Sequence, residues 1–351
     1  MAAAVGAWCE ADGIGFRLRD ADKRLTGVRL QQHAGVAGDL DFAYETAHRA
    51  WVLRLPRPAV HRLEYRFELR HPDGRTETVC DPDNPRRVPG AFGDSSVLWC
   101  PEYREPGWLR EPTAAAGRWR EVKLPLPPVH SDVLARIWSP ETPTDRVLVA
   151  HDGPDYDRYG GLGRYTAAMI AARRVPPYHL VLLSAGDRME WYSANPAYAR
   201  ALVGAALPRL RAELGTDRPV VAAGASLGAL AMLHAQRRHP EAFAGLLLQS
   251  GSFFQPRFDR QESGFRRYLR IVRFTGRVRR ATDGPAVPTV LTCGTGEENL
   301  ANNRDMTAAL RAQGYPATLV EVPDAHTWIG WRDALDPHLT DLLRRVWPGQ
   351  H

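Results

Sequence analysis

A serine stands between two glycines in Gly224-Ala225-Ser226-Leu227-Gly228, after the apolar run Val220–Ala223 and before the alanine-rich stretch from Leu227 to Arg238, which His239-Pro240 closes. Strand, tight turn and helix in that order are the context of a Gly-x-Ser-x-Gly nucleophile elbow. Such a turn strains the serine backbone and brings other segments close, so small residues are needed at 224, 225, 228 and 229. Ser226 would stand at the carboxyl end of a strand, and the Leu227 amide, at the helix start, would point at a developing oxyanion. The chemistry is acyl transfer through a nucleophilic serine. The five residues alone would also suit a glycine-rich turn of any α/β fold; Pro219 before the strand and the helical run after the serine decide for the elbow.

A nucleophilic serine needs a base, and in this arrangement the chain order is serine, acid, histidine. Downstream of Ser226 lie His234, His239, His326, His338 and His351. His234 and His239 belong to the helix after the elbow, His338 falls inside the helical pattern Asp333 to Val346, and His351 is the terminus. His326 follows the β-branched run Ala317–Val322, in a loop at a strand end, and is the expected base. The acid should follow the preceding strand, Pro288–Cys293, which runs into Gly294-Thr295-Gly296-Glu297-Glu298-Asn299. Glu297 is placed to hold the imidazole tautomer; Glu298 is the near alternative, and one of the two suits a helix N-terminal carboxylate. Asp324, two residues before His326, ranks third.

The second oxyanion donor is expected from the loop after Arg146–Ala150, which reads His151-Asp152-Gly153-Pro154-Asp155. Pro154 has no amide hydrogen, so the donor is Gly153 or Asp155, with His151 and Asp152 shaping the loop.

Together, His151-Asp152-Gly153, Asp187-Arg188-Met189-Glu190-Trp191, the elbow, Gly294-x-x-Glu297-Glu298-Asn299 with Asn303, and Asp324-Ala325-His326-x-Trp328-x-x-Trp331-Arg332 resemble the enterochelin esterase family. That family is part of a wider esterase group with esterase D and the mycolyltransferases. The likeness spans roughly the last two thirds of the chain. It implies an α/β-hydrolase domain with a doubly wound sheet and a serine esterase that opens trilactone siderophores or similar esters, with no cofactor and no metal. Asp81-Pro82-Asp83-Asn84-Pro85 and Phe92-Gly93-Asp94-Ser95-Ser96-Val97-Leu98 resemble the immunoglobulin-like N-terminal domain of cytoplasmic enterochelin esterases and of glycogen-branching enzymes.

Alternation in Leu63–Leu69, the strand-like Trp51–Leu55 and the turn His71-Pro72-Asp73-Gly74 agree with a β-sandwich in the first third. It would serve as a scaffold walling the catalytic cleft, or as a carbohydrate-binding module. The Pro/Gly/Ala-rich stretch 105–117 sets the expected division into residues 1–117 and 118–351. A chain of 351 residues supports two cores.

No apolar run spans a membrane and the N-terminus does not read as a secretion signal, so a cytoplasmic protein is expected. The four cysteines, Cys9, Cys80, Cys100 and Cys293, lack metal-like spacing, and a chain of this size needs no disulfides. The net charge of +6 concentrates in the arginines between Arg257 and Arg280, interleaved with aromatic residues. Arg266, Arg267 and Arg270, with Trp328 beside His326, are the expected contacts for a bulky anionic substrate such as a ferric siderophore; the alternative is a solvated amphipathic helix whose arginine stems cover apolar surface. Neither nucleic acid nor membrane is expected as a partner. An acyltransferase or lactone-forming enzyme would use the same triad, and a ligand-binding module on an inactive hydrolase fold is the non-enzymatic alternative.

Overall fold

A computed structural model describes residues 6–91 and 93–348; Phe92 of the N-terminal resemblance and His351 lie outside the described residues. The chain forms two compact units. The first comprises residues 1–104 with 294–298 and 322–330, and the second comprises 105–293, 299–321 and 331–351.

The first unit holds β1 (Trp8–Cys9), β2 (Gly13–Arg19), β3 (Gly27–Gln32), β4 (Ala43–Glu45), β5 (Ala50–Pro56), β6 (Arg62–Arg70), β7 (Thr76–Val79), β8 (Arg87–Val88) and β9 (Ser95–Trp99). They form two antiparallel sheets, ordered β1-β2-β5-β4 and β3-β6-β9-β8, with β7 pairing β6. The expected alternation is visible in β6, where Leu63, Tyr65 and Phe67 point inward. They meet Phe16 from β2 and Leu53 and Leu55 from β5 in one apolar core shared by both sheets. Gly74, at φ +82°, closes the expected hairpin turn by donating its amide hydrogen to the His71 carbonyl.

Cys9 and Cys100 are joined by a disulfide across 91 residues, which corrects the expectation that no disulfide is needed. The bond ties Cys9 of β1, in one sheet, to the residue that follows β9, in the other, and a separation this long leaves no local signal in the sequence.

The second unit is built on a mixed eight-stranded sheet, in the order β10-β11-β13-β12-β14-β15-β16-β17. Its strands are β10 (Gly117–Leu126), β11 (Ser131–Pro140), β12 (Val147–Ala150), β13 (His179–Leu183), β14 (Val220–Ala225), β15 (Phe243–Gln249), β16 (Thr289–Gly294) and β17 (Ala317–Val322). The strands β13, β12, β14, β15 and β16 run parallel to one another, and β10, β11 and β13 pair antiparallel. The α-helices are α1 (Gly153–Gly160), α2 (Leu162–Ala171), α3 (Arg188–Trp191), α4 (Pro196–Ala201), α5 (Leu207–Leu214), α6 (Leu227–Arg238), α7 (Tyr268–Arg280), α8 (Leu300–Ala312), α9 (Trp328–Asp333) and α10 (Leu335–Val346). All residues of β12 and β14 are buried, as a parallel sheet covered on both faces requires.

Residues 105–116 lie in the second unit: Trp108 packs edge-on against Tyr165 at 5.4 Å, and Ala115 donates its amide hydrogen to Ala167. The order reverses at β12, which lies between β13 and β14. Ligand sites of open α/β sheets form at the carboxyl ends of the strands at such a switch point. The loop after β12 and the elbow after β14 are both there. Among the described residues, no helix is long and apolar enough to cross a membrane.

Candidate active site

β14 ends at Ala225 and α6 begins at Leu227, so Ser226 is the single residue of the turn, at φ 57° and ψ −121°. A non-glycine residue holds this conformation only where its surroundings enforce it. Here the Ser226 amide donates to the Gln249 carbonyl at 2.8 Å, and its own carbonyl accepts from Ser252 and Leu230 at 3.2 and 3.3 Å. The glycines are required by close backbone approach. A Cβ on Gly224 would lie 2.5 Å from the Gly228 carbonyl, and one on Gly228 would press on His151 Cβ at 3.2 Å.

The loop after β12 lies beside this turn. His151 is fully buried; its Nδ1–H donates to the Gly228 carbonyl at 3.2 Å, and Nε2 lies 2.8 Å from the Tyr198 hydroxyl. Burial pushes its pKa down to about 3. A neutral ring with both nitrogens engaged is a strut behind the elbow. Asp152 sits in the left-handed region at φ 51° and forms a forked ion pair with Arg188, with contacts between 2.9 and 3.0 Å. Gly153 opens α1, and a Cβ there would strike Leu182 at 2.4 Å. Pro154 and Asp155 follow in the first turn of α1.

In the first unit, His326 Nδ1–H donates to Glu297 Oε2 at 2.7 Å, and the other carboxylate oxygen, Oε1, accepts from the Gly294 amide at 2.8 Å. The Glu297 side chain is only 2% exposed and that of His326 is 33% exposed, so the carboxylate is fixed and the ring reaches solvent. With the proton on Nδ1, Nε2 carries the lone pair a general base needs. Glu298 is exposed.

Asp324 faces elsewhere. Its carboxylate accepts from Arg62 Nε at 2.6 Å, and Arg62 also reaches Glu64 at 2.6 Å and Thr327 Oγ1 at 2.7 Å. The arginine is 1% exposed. Burial drives Asp324 up to about 6 against the pull of the guanidinium. The histidine loop is further tied to the rest of its unit by the His61 amide on Pro323 and the Gly296 amide on Asp324.

Removing one side of a buried ion pair strands the other, at a cost of about 3–5 kcal/mol. Arg62→Met is therefore expected to lower stability by about that amount, because it leaves Asp324 and Glu64 without their cation. Asp324→Asn should cost less, since Glu64 still pairs the arginine. Urea unfolding measures both; a loss under about 1 kcal/mol for Arg62→Met would reject the anchoring role.

A family model described as "Putative esterase" matches residues 113–342. The chain belongs to this family. It is 28% identical over 305 residues to the iron(III) enterobactin esterase of Escherichia coli O6:H1, with 81% of this chain and 72% of the relative covered. The enterobactin esterase of Shigella flexneri, solved in the presence of 2,3-dihydroxy-N-benzoyl-glycine, superposes with a TM-score of 0.76 at 19% identity, covering 99% of this chain and 98% of that one. The ferric enterobactin esterase of Salmonella typhimurium gives 0.78 at 21% identity, over 97% and 96% of the two chains. Such likeness shows the fold, an α/β hydrolase preceded by a β domain, and the family makes the chain a carboxylic-ester hydrolase.

In this esterase the second half of the arginine-rich segment is an amphipathic helix, α7. Tyr268, Ile271, Phe274, Thr275 and Val278 form its buried face. Arg267 and Arg270 both pair with Glu190, and Arg270 also donates to the Glu190 and Ser193 carbonyls. Arg266 is exposed, and Trp328 is half-buried at the start of α9.

Sequence reasoning passed over Ser252, whose Oγ lies 3.1 Å from that of Ser226. The signal available was Gln249-Ser250-Gly251-Ser252, a polar run at a strand's carboxyl end. It also left the Asp152–Arg188 pair unassigned, although both residues stood in the motifs of the resemblance.

Proposed function

We propose that the protein is a serine esterase that opens ester bonds of a siderophore-type trilactone, or a similar natural-product ester, through an acyl-enzyme. The observation that supports this reading most is the 2.7 Å hydrogen bond from His326 to Glu297, the acid–base half of a triad, in a chain whose elbow serine is held in the strained conformation of a nucleophile. The substrate class follows from the relative named iron(III) enterobactin esterase and from a matching Shigella flexneri structure determined in the presence of enterobactin.

In this mechanism Ser226 Oγ attacks the ester carbonyl while its proton passes to His326 Nε2, and Glu297 steadies the resulting imidazolium. The Leu227 amide and that of Gly153 or Asp155 bind the oxyanion. His326 then returns the proton to the departing alcohol, and water, activated by the same ring, releases the acid. Arg266 is the cation we assign to attraction of an anionic substrate, with Trp328 as an aromatic contact; Arg267 and Arg270 hold Glu190 and so brace α3 against α7. We read the N-terminal sandwich as an immunoglobulin-like scaffold. A cytoplasmic location is part of the same proposal, and the Cys9–Cys100 bond, of a kind kept in oxidising compartments, is the observation that weighs against it.

The test is mass spectrometry of products from iron-free and ferric trilactone siderophores, with a neutral aryl ester alongside and an added competing alcohol. Stepwise addition of one water per ester opened is the expected result. Turnover of the aryl ester with every trilactone left intact would reject the substrate class. Ester formation with the added alcohol would move the enzyme to the acyltransferases.

A further inference from the structure

The loop after β15 is built with unusual care. Ser250 sits at φ 48°, a conformation a serine keeps only when its neighbours enforce it. Trp331 Nε1–H donates to Ser250 Oγ at 2.9 Å. The Gly251 amide donates to Asn303 Oδ1 at 3.0 Å, and Asn303 Nδ2 donates back to the Gly251 carbonyl at 3.1 Å. What this clamp positions is Ser252. Its amide donates to the Ser226 carbonyl at 3.2 Å, its side chain is buried, and its Oγ lies 3.1 Å from Ser226 Oγ.

We propose that Ser252 is a hydrogen-bond donor to the nucleophile, stabilising negative charge on Ser226 Oγ in both halves of the reaction. The inference rests on the reading of Ser226 as the nucleophile. Two hydroxyls at this separation share one hydrogen bond, and at rest either can be the donor. During attack the Ser226 proton must go to His326 Nε2, so only the Ser252 hydroxyl is left to donate.

As the bond from Ser226 Oγ to the carbonyl carbon forms and the ester C–O bond breaks, the transferred proton travels from Ser226 to His326 to the departing alcohol. Ser252 keeps its own proton throughout. In deacylation Ser226 Oγ is the leaving group and gains charge again before His326 reprotonates it, so the same donor acts twice. A hydrogen bond to a charged oxygen is roughly twice as strong as a neutral one. Because the Asn303 and Trp331 contacts already fix the donor, no reorganisation is needed when charge develops.

The test compares Ser252→Ala and Ser252→Thr with the wild-type enzyme on a neutral aryl ester, together with fluorophosphonate labelling rate and thermal midpoint. Ser252→Ala should lower kcat by about 10- to 100-fold with KM within about twofold, slow labelling, and leave the midpoint unchanged. Ser252→Thr, which keeps the hydroxyl, should retain most of kcat. Wild-type kcat in Ser252→Ala would overturn the inference, and so would equal losses in both variants with a lowered midpoint, the mark of a packing role. If Ser226→Ala still turned over and labelled, the nucleophile reading would fall and this inference with it; a labelled Ser226 indifferent to Ser252 removes the inference alone.

Discussion

Ser226→Ala should remove ester turnover and fluorophosphonate labelling together, with a fall in kcat on the order of 10⁴-fold or more. The reason is chemical: no other hydroxyl occupies the single turn residue between β14 and α6, where φ is 57° and the residue is half-buried. Methyl for hydroxymethyl adds no volume, so the thermal midpoint should stay near that of the wild type. The 3.1 Å approach of Ser252 Oγ sharpens the experiment, because a second hydroxyl so close could conceal a wrong assignment. Peptide mapping of the labelled wild-type enzyme separates the two serines. Label on Ser252, or turnover by Ser226→Ala in a contamination-free preparation, would reject Ser226.

The second large effect is expected at Glu297. Its Oε1 accepts from the Gly294 amide and its Oε2 accepts from His326 Nδ1–H. In Glu297→Gln the amide oxygen must stay on the Gly294 N–H, which turns the NH2 group toward Nδ1. Nδ1 then becomes an acceptor, the ring proton moves to Nε2, and the base is lost along with the charge that steadied the imidazolium. A fall in kcat of about 10²- to 10⁴-fold is expected, against less than about threefold for the exposed Glu298→Gln. The reverse ranking would make Glu298 the acid. Two small effects would indicate a serine–histidine dyad.

The histidine and acid loops also show where sequence reasoning runs out. From residue types alone, Glu297, Glu298 and Asp324 were all available to His326, and spacing ranked them without deciding. In the structure the three differ in direction: Glu297 is turned inward against Gly294 and His326, Glu298 is exposed, and Asp324 makes a buried contact with Arg62. Arg62 lies 262 positions away in sequence, on a strand of the N-terminal sandwich, and nothing local to either residue announces the pair.

The arginine segment shows a similar limit. Its composition suited an anion-binding lid, but Tyr268, Ile271, Phe274 and Val278 repeat at helical spacing and are core, and Arg267 and Arg270 pair with Glu190. The partner of a charge is a property of three dimensions.

What the sequence determined by itself is local. The elbow is legible because strand, turn and helix signals lie within about twenty contiguous residues and each follows from backbone sterics or apolar periodicity. The strands Val220–Ala225 and Ala317–Val322 and the helix Leu227–Arg238 stand where their apolar patterns place them. Tertiary structure alone decided the strand order that puts the switch point at β12, the Cys9–Cys100 cross-link, the choice of carboxylate facing His326, and the clamp that brings Ser252 to Ser226. Each of these is a contact between segments far apart in the chain. Apart from the covalent cross-link, each is held by directional hydrogen bonds, which depend on ångström-scale placement that residue type and spacing do not encode.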